Sequence, residues 1–405
     1  MNKRLVPKLR FPEFDGEWRS CKFGDVGKFI GGGTPSTKND SYWIGDIPWI
    51  SSSDLVEGDI HSINAKRFIT REAVDNSATK LIPQGSVLIV SRVGVGKVAI
   101  NKFPLCTSQD FQNVILDLSN EVFIAYLVQL KASKLIEFNQ GTSIKGFVKE
   151  DLINLVLALP ILPEQTKITD FLTAVDDKIQ QLTRKKELLE QYKKGVMQQI
   201  FSQKIRFKDD SGNDYSDWKI KQLEEIANYR RGSFPQPYGL DMWYDEINGF
   251  PFVQVFDVAD NMQLKPKTKN KISSLAAQQS VFVREGNLVI TIQGSIGRVA
   301  KLQYDAYIDR TLLIFQSYKA LINVDYFKYV LFLLFETEKL KAPGGTIKTI
   351  TKEVLSEFVV DIPSIMEQNK IANFLTSVDD KITQILNQIA QINLFKTTLL
   401  QKMFV

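Results

Sequence analysis

Two stretches of the chain carry apolar residues at alternating steps of four and three. The first runs through Ile168, Leu172, Val175, Ile179 and Leu182, then Leu189, Val196 and Ile200. The second runs through Ile371, Leu375, Val378, Ile382, Ile385, Ile389 and Ile392, then Leu399 and Met403. A seven-residue period of this kind is the seam of a coiled coil. Lys186, Lys193 and Lys396 fall on the seam and interrupt it. Both stretches have marked starts. Ser364 and Glu367 have capping-box spacing, and Pro163 with Glu164 puts a proline and an acid in a first turn. A helix from about Pro163 to Phe201 would be roughly 55 to 60 Å long at 1.5 Å per residue, far longer than an ordinary globular helix.

Elsewhere the pattern is that of short strands. Ser86 to Ser91 (SVLIVS) and Asn113 to Leu118 (NVILDL) are compact apolar runs near Pro83, Gly85 and Gly94, followed by a helical run, VFIAYLVQLKASKLIEF. The second half repeats the order with NLVITI at Asn287 to Ile292, then LLIFQS, then YFKYVLFLLFETEKL. The repetition is literal in places: LPILPEQTKITDFLTAVDDKI at Leu159 to Ile179 returns 203 positions later as IPSIMEQNKIANFLTSVDDKI at Ile362 to Ile382. Gly85 pairs with Gly286, Gly96 with Gly297, and Trp18 with Trp218. Such a period is too long for a solenoid, so the chain is a duplicated domain. The expected fold is α+β. Two mixed α/β domains, residues 1–159 and 204–362, are joined by long helices over 160–203 and 363–405, which pair antiparallel with approximate two-fold symmetry. Two alternatives stand beside that pairing: helices packed each on its own domain, and a coiled coil between molecules. The matching register of the two seams favours the internal pair.

Composition adds limits. The chain has 405 residues with 44% hydrophobic and 24% charged, enough for two real cores. It contains no apolar run of membrane-spanning length and no apolar signal region in MNKRLVPKLRFPEF, which indicates a cytoplasmic protein with no membrane partner. Cys21 and Cys106 have no counterparts in the other half and read as reduced thiols. A net charge of +5 permits a nucleic-acid partner without requiring one.

The loops between strands are where the halves differ. GGGTPSTKNDSYW at Gly31 to Trp43, SRVGVGK at Ser91 to Lys97 and QGTSIKG at Gln140 to Gly146 combine glycine, hydroxyls, amides, bases and aromatics. Their counterparts are YRRGSFPQPYGLDMWY at Tyr229 to Tyr244, IQGSIGR at Ile292 to Arg298 and PGGTIKT at Pro343 to Thr349. This mixture suits a base sequence: arginine and lysine match guanine and phosphate, amides match adenine, and glycine lets backbone N–H groups approach phosphate. The competing account is that Gly, Ser and Thr fill any turn and that Trp43, Trp49, Trp243 and Phe252 are core. By loop position and chemistry, the candidates for DNA contact are Thr34, Ser36, Lys38, Tyr42, Arg92, Lys97 and Lys145 in the first domain. In the second they are Arg230, Arg231, Gln236, Tyr238, Gln293, Arg298 and Lys348.

Catalytic chemistry is not legible. His61, beside Asp59, is the single histidine and reads as a surface or turn residue, so no His-dependent triad or His-rich metal site can be built. VGVGK lacks the glycine and the hydroxyl of a phosphate loop, with Ser91 and Val98 in their places. The paired acids Asp176-Asp177 and Asp379-Asp380 lie off the seam near helix starts, where solvated acids are favoured. The chain therefore reads as non-catalytic and without a metal or cofactor of its own.

The opening KLRFPEFDGEW, the following GGGTPS, the strand and proline that lead through Glu-Gln into each long helix, and FLTAVDDKI repeated as FLTSVDDKI together resemble the specificity subunits of Type I restriction-modification systems. The resemblance covers essentially the whole length. It implies two target recognition domains, each reading one half of a bipartite double-stranded DNA target, with the helical rod setting the spacer. It also implies partners: two methyltransferase subunits holding S-adenosylmethionine, and two restriction subunits using ATP and Mg. On this reading the helices dock the methyltransferases, with Asp176, Asp177, Lys178, Asp379, Asp380 and Lys381 as candidates on outer faces. A two-headed protein adaptor without DNA affinity and an enzyme with an unrecognised site are the other two readings.

Overall fold

The structure, a computed structural model, describes residues 4–138, 146, 148–341 and 355–405. It divides into two compact units, Met1–Lys185 with Ile385–Val405, and Lys186–Gln384. Numbering only the four long helices, these are α1 (Glu121–Phe138), α2 (Leu162–Phe201), α3 (Val324–Lys341) and α4 (Ile365–Met403). The division passes through α2 and α4, so each unit contains part of both helices.

In the first unit a four-stranded antiparallel sheet has the order Gly27–Gly31, Phe111–Leu116, Val87–Val90, Val98–Ile100. A second sheet has the order Arg67–Ile69, Ile47–Ile50, Leu105–Thr107, Leu81–Ile82, with one parallel pair at its centre. The apolar run Val87–Val90 has no polar alternation because both of its faces are covered. Val87 and Ile89 turn toward α1, packing with Phe123, Tyr126 and Leu127. Leu88 and Val90 turn the other way, toward Ile50, Leu105 and Phe111 between the sheets. The far side of the second sheet carries Trp49, Ile69 and Cys106 under a short helix and the loop holding Tyr42 and Trp43. A third strand pair, Arg19–Lys22 with Val156–Leu159, leads into α2.

The helix layer is completed by both long helices. Ile168 and Leu172 of α2 share one cluster with Leu399, Leu400 and Met403 of α4, and Lys396 reaches Asp176. As one helix advances the other retreats, so the segments run antiparallel within this unit. The expected internal pairing is thus present, and each helix also packs on the domain of its own unit.

The second unit repeats the plan strand for strand. Its sheets are Ala227–Arg231, Leu312–Tyr318, Leu288–Thr291, Val299–Lys301 and Asn270–Ile272, Phe250–Val253, Ala306–Ile308, Val281–Val283. Met197 and Ile200 of α2 cluster with Ile371, Ala372 and Leu375 of α4 beneath α3, again antiparallel, with Lys193 on Asp379. Trp49, Trp243 and Phe252 are buried, as the core account of those aromatics required.

The repeated Glu-Gln at each helix start does more than mark a turn. Asn120 caps α1 by accepting from Phe123 N at 3.0 Å, and its own N–H donates to Gln165 Oε1 at 3.0 Å. Asn323 and Gln368 repeat this on α3, at 3.0 and 2.9 Å. Glu164 accepts from Arg10 Nε and Nη2, both at 2.8 Å, and from Trp18 Nε1 at 3.2 Å. Glu367 accepts from Arg206 at 3.2 and 2.8 Å and from Trp218 at 3.0 Å. Only half of the expected capping box therefore forms. Ser364 Oγ accepts from Glu367 N at 3.4 Å, but the Glu367 carboxylate is fully buried on Arg206 instead of returning to the helix start. A bidentate guanidinium partner outweighs one more backbone bond.

Candidate nucleic-acid interface

The structure locates the strand–loop candidates that fall among the described residues. In the first unit the loop after Gly31 is pinned by two indoles: Trp49 Nε1 donates to Gly33 O at 2.9 Å and Trp43 Nε1 to Ser36 O at 3.2 Å. Ser36 and Lys38 are exposed on it, and Tyr42 is half-buried. Thr34 donates its hydroxyl to Gln109 Oε1. Arg92 is exposed, whereas Lys97 is turned inward, donating to Ser52 O at 3.1 Å and Leu55 O at 2.9 Å. The cation expected from Lys97 is spent on two carbonyls of its own unit.

In the second unit Arg230, Arg231, Gln236 and Gln293 are exposed. Arg298 differs from expectation: its Nε pairs with Asp260 at 2.8 Å and Nη1 donates to Val258 O at 3.3 Å, which neutralises much of its pull on an anion. Tyr238 donates to Asp309, and burial together with that carboxylate pushes its phenol well above the ordinary range, so it remains a neutral donor. Lys145 and Lys348 lie outside the described residues.

Sequence reasoning missed a polar group at the end of the second sheet in each unit. In the first, Arg67 lies 4.3 Å over the Trp49 ring and donates from Nη2 to Ser51 Oγ at 2.6 Å and to the buried Asp54 at 3.1 Å. In the second, Asn270 Nδ2 donates to Gln254 Oε1 at 2.7 Å, Gln254 Nε2 to the Tyr238 hydroxyl at 3.3 Å, and Arg310 lies 5.1 Å over the Tyr238 ring. These residues sit on strand ends flanked by apolar neighbours. The only signal available was their pairing across strands, which a linear reading does not contain.

The helix acids require a correction. Asp176 and Asp379 were placed on outer, solvated faces, but both point inward. Asp176 accepts from Tyr126, pairs with Lys396 Nζ at 2.5 Å, and lies 3.3 Å from His61 Nε2. Burial opposes its ionisation, yet the adjacent His61 ring and the hydrogen bonds from Lys396 and Tyr126 outweigh that and hold the carboxyl below its usual range. Asp379 accepts from Tyr329 at 2.7 Å and pairs with Lys193 at 2.5 Å. Two of the lysines that break the seam are thus the partners of the two acids that flank it. His61 is likewise more than a turn residue: its backbone N–H rests on Asp59 at 2.7 Å while its ring reaches the helix. Asp177, Lys178, Asp380 and Lys381 are exposed.

Among the described residues no three His, Cys, Asp or Glu side chains are grouped to hold a metal, and no helix is long and apolar enough to cross a membrane. Two copies of one scaffold with unlike polar loops define a two-headed recognition protein. The chain belongs to the Type I restriction modification DNA specificity domain family, whose model matches residues 15–191 and again 215–394. Membership makes it a recognition component and not a catalytic one. The MjaIX specificity subunit of Methanocaldococcus jannaschii is 29% identical over 281 residues, covering 66% of this chain but only 61% of that relative. The MjaVIII specificity subunit of the same organism is 24% identical over 94% of this chain and 90% of its own. The EcoR124I/EcoR124II specificity subunit of Escherichia coli is 34% identical over 42% of this chain and 43% of its own. A Type I S subunit from M. genitalium superposes with a TM-score of 0.61 at 15% identity, covering 99% of both chains. A chain from a study of complex assembly and conformational transition in the type I R-M system does so at 0.60 and 19%, covering 96% of this chain and 97% of its own. At such identities these two likenesses concern the fold alone.

Proposed function

We propose that this chain is the specificity subunit that directs a Type I restriction-modification complex to a bipartite sequence in double-stranded DNA. Residues 1–159 and 204–362 act as target recognition domains, each reading one half-site, and the helical stretches 160–203 and 363–405 set the spacer. The observation that carries the reading is internal: one scaffold occurs twice, with the same Glu, Trp, Asn and Tyr contacts, while the polar residues on its loops differ between copies. A duplicated frame with unlike loops is what two half-sites of different sequence require.

Of the sequence candidates, Thr34, Ser36, Lys38, Tyr42 and Arg92 remain available to the first half-site, and Arg230, Arg231, Gln236, Tyr238 and Gln293 to the second. Base contact from such residues specifies, while the cations position the duplex and make binding fall steeply with salt. The chain supplies no chemistry of its own to a flipped adenine. Two methyltransferase subunits would bring S-adenosylmethionine, docked on exposed helix positions that include Asp177, Lys178, Asp380 and Lys381. Two restriction subunits would bring ATP and Mg, and the whole would act in the cytoplasm.

The test is co-expression of the full chain with a Type I methyltransferase subunit from the same genome, followed by mapping of N6-methyladenine in the host DNA. A single bipartite methylated motif is expected, changing in one half when residues 1–159 are exchanged for those of a relative. A complex that assembles but methylates nothing would turn the reading toward a protein adaptor.

A further inference from the structure

The scaffold allows the two recognition units to be compared position by position. In the first unit Ser51 N donates to Asp54 Oδ2 at 2.7 Å, Trp49 pairs with Arg67 across the strands, and Ser108 N donates to Ile50 O at 2.8 Å. In the second, Gln254 N donates to Asp257 Oδ2 at 2.9 Å, Phe252 pairs with Asn270, and Asp309 N donates to Val253 O at 3.0 Å. Ser51, Arg67 and Gln109 therefore occupy the same three places as Gln254, Asn270 and Arg310. The backbone at each place is held by a buried aspartate and an adjoining strand, Asp54 in one case and Asp257 in the other. The backbone frame is thus the same whatever the three side chains are, although in the first unit two of them also touch the buried aspartate: Arg67 pairs with Asp54 and Ser51 Oγ donates to it at 3.0 Å.

All six are exposed or half-exposed, and all belong to the residue types that match base edges. Arginine can span guanine O6 and N7, and asparagine or glutamine can span adenine N6 and N7. Each set is also ordered before any ligand arrives. Arg67 is stacked on Trp49, with Nε and Nη1 unbonded among the described residues, and the Asn270–Gln254 amide pair is tied to Tyr238. Side chains already held in one rotamer lose less entropy on binding.

We infer that these triads are specificity-determining sets that contact base edges in the major groove: Arg67 with Ser51 and Gln109 for one half-site, Asn270 with Gln254 and Arg310 for the other. The inference rests on the DNA-reading function proposed above. It assigns the main readers to strand ends and not to the glycine-rich loops.

The test grafts two members of the first triad onto the second unit, as Gln254→Ser with Asn270→Arg and Arg310 kept, in the full chain co-expressed with its methyltransferase. The methylated motif is expected to change at one or two base positions of one half, with preference there shifted about 10-fold or more, while the other half stays as it was. Full methylation of the unaltered motif would overturn the assignment. Should the graft abolish methylation, Asn270→Ala alone decides: a relaxed base preference at one position supports the triad, and an intact motif overturns it. An unsubstituted complex with no bipartite motif would instead sink the DNA-reading function, and the triads with it.

Discussion

Replacing Glu367 with Gln removes one charge from a fully enclosed polar contact of the second unit and leaves its shape. The carboxylate is 0% exposed, and Arg206 gives it two hydrogen bonds while Trp218 gives a third. Breaking a buried ion pair by removing one member costs about 3 to 5 kcal/mol, because the other charge is left uncompensated. Arg206 keeps the carbonyls of Tyr215 and Ser216 and is 21% exposed, so water and those dipoles recover part of the loss. The expected cost is therefore near the bottom of that range, about 3 kcal/mol, or roughly 6 to 12 °C in melting temperature for a unit of this size. Urea denaturation followed by hydrogen exchange distinguishes the units, since Glu367→Gln should strip protection from Ala227–Arg231 and Leu312–Tyr318 while sparing Gly27–Gly31 and Phe111–Leu116. Glu164→Gln should do the reverse, through Arg10 and Trp18. The double variant should show both losses additively, the two sites having no shared partner. A change below about 1 kcal/mol, or loss of protection in the opposite unit, would refute the idea that this buried pair fastens each helix to its domain.

Two further outcomes follow from the electrostatics. The Asp176 carboxyl is depressed in the folded state, so it contributes stability that is fully present above the ordinary carboxyl value of about 4 and is lost as pH falls through its folded value. Asp176→Asn should lower the urea midpoint at pH 7 and flatten its decline between pH 5 and 3, and an unchanged slope would count against the contacts of Asp176 with Tyr126 and Lys396. Burial pushes the Cys106 thiol up to about 12, and it is fully enclosed, whereas Cys21 is only partly covered. Iodoacetamide at pH 8 should label Cys21 and leave Cys106 intact by mass spectrometry until the chain is unfolded, and equal rates would contradict the packing of Cys106 beside Trp49.

Much of the architecture was legible because it is periodic. The heptad steps of Ile168 to Ile200 and Ile371 to Met403, and the unbroken apolar runs at Val87–Val90 and Leu288–Thr291, are local patterns whose burial follows from spacing alone. Duplication was equally plain, since Glu164, Gln165 and the DDKI segments recur with the same neighbours. The paired aspartates were misjudged for a physical reason: a flanking position on a helix is solvated unless another element covers it, and what covers Asp176 and Asp379 is a tyrosine 50 positions upstream and a lysine on the other long helix.

The same limit governs the reading surface. Local chemistry determined that the loops are polar and that the halves differ, and so pointed to two readers on one frame. Which side chains keep their hydrogen-bonding capacity was decided only by tertiary contacts, which spent Lys97 and Arg298 on neighbours in their own unit and brought Arg67 beside Ser51 and Asn270 beside Gln254. Spacing along a chain sets what a residue can do locally. The strand register sets what it meets across the sheet, because residues 16 apart become neighbours only when the strands between them pair.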